Sequence, residues 1–459
     1  MYDIIIVGAG TAGMPCAIAA AEVGAKVLVI EKANRVGGTL HYTGGHLSAG
    51  GTRHQIKHGI EGDSPQKHYD EVMSISKNTA VSYIVKLATD EAPRTVDWLD
   101  SLGFEFSPDS PRIVYGHVPY SVARTQYGKD AGTSIFKAIE PLWNKYVADG
   151  HITVMLNTEL KDLTVENNKV VGVSVVVNSE PETLLLKTAP NVVLTTGGYA
   201  ANAQLFAQKH PSHPRLITTA AETSTGEGIT IAERIGAKFW NADTHISSLG
   251  GIEFEPNSGK ADFWQGWAMV FTTSYRPARE IYVNDNGQRF MDEANPDPDY
   301  RERAVAQQPQ KRFWIIFDEN ALIEPAMTVV PKWTIEQTKT EAQREKCVWT
   351  ANDLETLALK TGLPIDNLKV AVLQYNQFAE TGPFYAILTY ATSLISFGGL
   401  AVDENLQVID NQNNVIEGLY AAGEILGAGA TTGNAFCGGM LATPAISFGR
   451  ILGQRLGQK

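Results

Sequence analysis

Asp3-Ile4-Ile5-Ile6-Val7-Gly8-Ala9-Gly10-Thr11-Ala12-Gly13 decides the fold. The β-branched run before Gly8 predicts a buried strand. Ala17-Ile18-Ala19-Ala20-Ala21 then continues as a helix, with Pro15 in its first turn, where a missing N–H costs little. Val27-Leu28-Val29-Ile30 predicts a second strand, closed by Glu31. Strand, glycine turn, helix, strand, acid is the dinucleotide-binding order. Gly8 permits the tight turn, Gly10 leaves room for a pyrophosphate, and Gly13 lets helix and strand pack closely. The helix N-terminus offers N–H groups and positive dipole to phosphates, and Glu31 suits a ribose hydroxyl. By itself the motif leaves FAD and NAD both open.

Working outward, Gly37-Gly38 and Gly44-Gly45 stand close behind the motif and suggest backbone laid against a phosphate and a flat ring. Residues 71–100 predict two or more amphipathic helices, and residues 133–147 another, capped by Thr133 or Ser134 and kinked at Pro141. Residues 160–165 and 170–177 read as a hairpin turning at Asn167-Asn168. Asn191–Leu194 leads as a buried strand into Gly197-Gly198, and Thr225-Gly226-Glu227-Gly228 opens a further helix. From 242 to 382 the character changes, with a hairpin signal at Asn284–Gly287 and a charged, helical stretch over 333–378. This block reads as a second domain inserted into the first.

The apolar pattern then returns. Val415 to Gly423 is a strand followed by Glu424, and Gly438-Gly439-Met440-Leu441 opens a last helix to about Leu456. A flavin needs this return: an acid for the ribityl chain, and a helix N-terminus facing the ring edge where negative charge gathers on reduction. An NAD module would not need it.

Net charge is −12, which argues against nucleic acid and anionic membranes as partners. The three cysteines, Cys16, Cys347 and Cys437, lie far apart and suggest neither disulfides nor zinc. His54 and His58 have metal-like spacing but no third ligand nearby, so no metal is expected. With no signal peptide and no membrane-spanning run visible, the expected setting is cytoplasmic.

Together, the motifs Gly8–Gly13 with Glu31, Gly37-Gly38 with Gly44-Gly45, Thr196-Gly197-Gly198, Thr225–Gly228, Ile281–Phe290 and Gly418–Glu424 resemble the fumarate reductase/succinate dehydrogenase flavoprotein family, which includes the 3-ketosteroid dehydrogenases. The resemblance implies an α/β fold: a two-segment Rossmann-like FAD-binding domain (1–241 and 383–459) with an inserted α+β capping domain (242–382). It implies non-covalent FAD, since the covalent enzymes carry histidine at another offset than His41. The implied cofactor set is Gly8, Gly10, Ala12, Gly13, Glu31, Lys32, Gly37, Gly38, Thr39, Gly44, Gly45, Leu160, Gly197, Gly198, Glu227, Gly423, Glu424, Gly439, Met440 and Leu441.

The spacing of the two glycine pairs is similar to the ketosteroid enzymes. Where fumarate reductases hold a dicarboxylate with a histidine and an arginine, this chain has Ile395 and Phe436. The resemblance therefore implies α,β-desaturation of a ketone, cyclic and ketosteroid- or oxocyclohexane-like, by hydride transfer to flavin. Arg276, eight residues before Asn284, falls where the family places a proton-donating arginine, with Tyr275 beside it as a phenol. Tyr120 and Tyr127 are candidates for the ketone-polarising tyrosine, and Arg124 for a substrate carboxylate. The alternatives are ene reduction of an enone or enoate with Arg276 or Tyr275 as donor, and a flavoprotein subunit that needs a partner. A small-molecule substrate and a separate electron acceptor or donor complete the expectation.

Overall fold

The computed structural model describes residues 2–177, 183–187, 190–212, 217–262, 278–323, 329–330, 333–378 and 382–458. β1 (Ile4–Val7), α1 (Gly13–Glu22) and β2 (Val27–Ile30) appear where the first motif places them. β1 is the middle of a parallel row: Ile152–Met155, β2, β1, Asn191–Leu194 and Val415–Ala421. All four β1 residues are buried. A strand covered on both faces must be apolar throughout, which is why β1, β2 and Asn191–Leu194 read as continuous β-branched runs. Ala421 pairs with Leu194 and Val7 with Leu194 from the other side, so the two ends of the chain meet at one sheet position. The hairpin Thr158–Glu166 and Lys169–Val177 extends the row, with Asn167 and Asn168 at φ 51° and 62°, as a tight turn between twisted strands requires.

The closing helix Ala442–Gly457 packs on α1 through Gly449 and Gly453. A Cβ on Gly449 would stand 2.2 Å from the Ala12 carbonyl oxygen, and one on Gly453 2.1 Å from that of Cys16. The two helices therefore touch backbone to backbone. Helices Pro65–Ile75 and Ser82–Ser101 fill the stretch read as amphipathic. Helix Gly132–Ala148 corrects its expected cap: neither Thr133 nor Ser134 holds the start. Ala131 occupies the cap position with no side-chain bond, and the Gly132 N–H donates instead to the Thr43 carbonyl beside Gly44.

A second sheet gathers six strands among the described residues, centred on Phe384–Ser393, which pairs antiparallel with Arg312–Asp318 over seven residues. It reaches outside 242–382 at both ends, taking Ile217–Thr218 as well as Phe384–Ser393. The turn at Asn284–Gly287 forms, but its return side makes only a Val283–Arg289 bridge, because Ile281–Val283 pairs with Arg312–Asp318. The stretch read as helical over 333–378 contains a strand, Val348–Ala351, drawn into the sheet by Phe384–Ser393.

Candidate active site

The glycine turn, the first glycine pair and the tail strand converge. A Cβ on Gly38 would stand 3.0 Å from the Gly10 Cα, and one on Gly423 3.1 Å from the Ala12 Cβ. A Cβ on Gly10 would meet nothing nearer than 3.9 Å, and one on Gly197 nothing within 4 Å. Gly8 and Gly13 are different: their absent side chains would strike the Thr195 and Gly8 carbonyl oxygens at 2.4 and 1.8 Å. The turn thus has two packed glycines and one facing open space, the cradle that a pyrophosphate fits. Thr39 lies within reach of Thr11, hydroxyl to hydroxyl at 3.3 Å.

Glu31 accepts the Ala9 and Ala33 N–H groups, one on each oxygen at 2.8 Å, and retains acceptor capacity for a ribose. Lys32 donates to Thr225 and pairs with Glu227 at 3.1 Å. Burial pushes the Glu227 carboxyl up, but the Thr225 hydroxyl and Lys32 outweigh it and hold the group below its usual value. Leu160 is buried in strand Thr158–Glu166, opposite Val175.

Glu424 lies against Gly198, whose Cβ would stand 2.2 Å from its Oε1, and accepts the Ser396 N–H at 2.9 Å. Desolvation lifts its carboxyl to about 7, against the pull of Ser396. Gly439 backs onto Ser48: a Cβ there would be 2.4 Å from the Ser48 nitrogen. The Ser48 N–H donates to Thr443, and Thr431 donates to the Met440 carbonyl, so Met440 and Leu441 reach the helix start in a fixed loop. Gly45 packs on the start of helix Gly132–Ala148, 2.5 Å from the Gly132 nitrogen to a would-be Cβ, and Gly44 abuts His46.

Tyr120 donates to the Gly438 carbonyl at 2.9 Å, and its ring meets His68 edge-on. Burial holds its phenol well above the ordinary value. It is therefore placed to fix the Gly438–Leu441 loop. Arg124 corrects its expected role. Its side chain is 1% exposed, paired with Asp63 at 2.6 Å and with Glu71, so it ties its segment to helix Pro65–Ile75 and to the loop before it. Tyr127 is buried between Arg112, 4.2 Å over its ring, and His46, edge-on at 4.4 Å. Desolvation, helped by the positive fields of His117 and Arg112, drives His46 down to about 3.

Phe436 lies nearly parallel to His117 at 4.6 Å and meets Phe397 edge-on at 5.6 Å. Behind His117 stands Glu302, on helix Pro298–Ala306, its Oε1 3.7 Å from Nδ1. Ile395 is half-buried beside Ser396. Arg276 and Tyr275 lie outside the described residues. Sequence reading missed Arg301, a fully buried arginine on that same helix whose pKa desolvation lowers. It stands in the acidic, proline-rich stretch 295–300 and beyond, where an arginine looks solvated until the helix is seen turned inward.

This is the fold of a flavoprotein, with the dinucleotide turn at the head packed beside the tail strand and its following Gly423. Residues 3–441 match the family model described as FAD binding domain. The chain belongs to that family, in the group that holds the fumarate reductases and the ketosteroid dehydrogenases, and it is an FAD-dependent oxidoreductase. It is 27% identical to a probable fumarate reductase, Ifc3, of Shewanella frigidimarina over 98% of this chain and 74% of that one. It is 28% identical to the vinyl phenol reductase of Lactiplantibacillus plantarum over 92% and 89%, and 24% identical to the 3-oxosteroid 1-dehydrogenase of Mycolicibacterium smegmatis over 98% and 96%. Its fold superposes on the 3-ketosteroid delta1-dehydrogenase of Sterolibacterium denitrificans with a TM-score of 0.80 at 22% identity, covering 99% of both chains. No helix among the described residues is long and apolar enough to cross a membrane.

Proposed function

We propose that the protein reduces a carbon–carbon double bond conjugated to a ketone or a phenol, in a neutral substrate that carries a ring. The substrate class rests on Phe436, whose ring is stacked on His117 with the Glu302 carboxyl behind it. A dianion seated against that wall would face roughly several kcal/mol of uncompensated desolvation. The activities named for the Shewanella and Lactiplantibacillus relatives support the reducing direction. Vinyl phenol is itself a neutral, ring-bearing alkene.

Bound FAD supplies the two-electron hydride chemistry. The chain's own residues hold and orient. Gly10 and Gly38 would leave the phosphates their space, Glu31 and Glu424 would accept hydroxyls, and the Gly438–Leu441 loop, fixed by Tyr120, would border the flavin ring. Phe436, packed on the buried Phe397, would exclude water from the substrate side. Arg301, or Arg276, supplies positive charge where the substrate gains negative charge and serves as proton donor, with Tyr275 as a phenolic alternative. The opposite sense, α,β-desaturation of a cyclic ketone, uses the same neutral chamber. The steroid dehydrogenase relative supports it as the second reading.

Anaerobic turnover with reduced viologen as electron donor tests the proposal. A vinyl phenol or a cyclohexenone should be reduced and fumarate should not. The double variant Phe436→Arg, Ile395→His should gain fumarate reduction. A wild-type enzyme that reduces fumarate and leaves both neutral compounds untouched would contradict it.

A further inference from the structure

Adding hydrogen across a double bond consumes one hydride and one proton, and the proton comes finally from water. A site bordered by the Phe436 ring, itself backed by the buried Phe397, needs a path for it. His117 has 21% of its side chain exposed and Glu302 has 7%, with Nδ1 and Oε1 3.7 Å apart. The pair leads from solvent to a buried carboxyl. His117 lies three residues before Tyr120, which bonds the Gly438 carbonyl, and Glu302 lies on a helix whose Arg303 donates to the Asn434 carbonyl at 3.2 Å, four residues ahead of Gly438. Stacking on Phe436 at an angle of 12° fixes the imidazole plane.

The separation is too long for a hydrogen bond, so the pair gains little as a structural tie. It is short enough for a modest side-chain rotation or one water to close. Other charged groups face it. His46 and Arg112 lie on the His117 side, Asp299 and Arg303 on Glu302's own helix, and Arg301 beside it. Asp299 and Arg303 neutralise one another at 2.8 Å. Desolvation holds the Glu302 carboxyl above its ordinary value, partly offset by His117, which favours its carrying a proton.

We propose, on the reducing reading above, that His117 and Glu302 form the proton relay of the site. His117 takes a proton from water on its open side and releases one from Nδ1 to Glu302 Oε1. Glu302 replaces the proton that the donor beside it gives to substrate carbon. One proton enters and one ends in a C–H bond.

The test mixes anaerobically reduced holoenzyme with a vinyl phenol and, separately, with a cyclohexenone, in H2O and in D2O, between about pH 5 and 8. His117→Gln and Glu302→Gln should each slow reoxidation of the flavin about 10²-fold and flatten its pH dependence. FAD content and the rate of reduction by dithionite should stay at wild-type values. Added imidazole should restore part of the rate to His117→Ala. If Glu302→Gln fails to fold, the His117 variants decide. Reoxidation of His117→Gln with the wild-type rate, pH profile and solvent isotope effect overturns the relay. A wild-type flavin that neither neutral alkene reoxidises overturns the reducing reading and the relay with it.

Discussion

Glu424 sits where the tail strand delivers it, against Gly198 and Ser396, and desolvation lifts its carboxyl from 4.5 to about 7. Between those values the folded protein holds a proton that the unfolded chain has released. The stability this contributes is full below about pH 4.5, declines as the pH rises, and is gone above about 7. At about 1.4 kcal/mol per unit, the decline is at most about 3.5 kcal/mol. In flavin-free protein, Glu424→Gln should therefore gain stability relative to wild type on passing from about pH 5 to about pH 8. Urea midpoints that differ by the same amount at both values would contradict this. Glu424 and Glu31 were legible because each ends a strand of recognisable pattern. Arg124 was not, since its partners Asp63 and Glu71 are 61 and 53 residues away and no local pattern marks an ion pair of that span. His117 and Glu302 escaped for the same reason.

Elements were legible where one face or one motif dictated them. β1, α1 and β2 follow from local sequence because burial on both sides leaves no choice of residue. Strand Val348–Ala351 did not, because four residues between two helices carry no period of their own and a neighbouring strand decides their state. The contact of the last helix with α1 lay in plain view as Gly449 and Gly453, but only packing shows what the spacing is for. Gly453→Val should cost about 1–3 kcal/mol or more, because its branches would enter the space of the Cys16 carbonyl. Thermal unfolding with bound-flavin content measures this, and an unchanged midpoint would mean that the two helices do not meet as described.

For the whole molecule, the proposal is that β1 and strand Val415–Ala421, on either side of Asn191–Leu194, bring the glycine turn and the Gly438–Leu441 loop to one cofactor, beside an aromatic wall at Phe436. Order along the chain showed the return to the first sheet, where Val415–Ala421 pairs with Asn191–Leu194. An edge at 382 was not legible as a change of sheet, since Phe384–Ser393 is buried almost throughout, like the strands of the first sheet, yet forms the middle of the second. A crystal structure of the FAD-loaded protein, soaked in parallel with a phenol and with succinate, tests the claim most directly. The account predicts the pyrophosphate at Gly10 and Gly38, the ring edge at Gly439–Leu441, and the phenol alone seated against Phe436. A ring bound away from either chain end, or succinate held at Phe436 in place of the phenol, would contradict it.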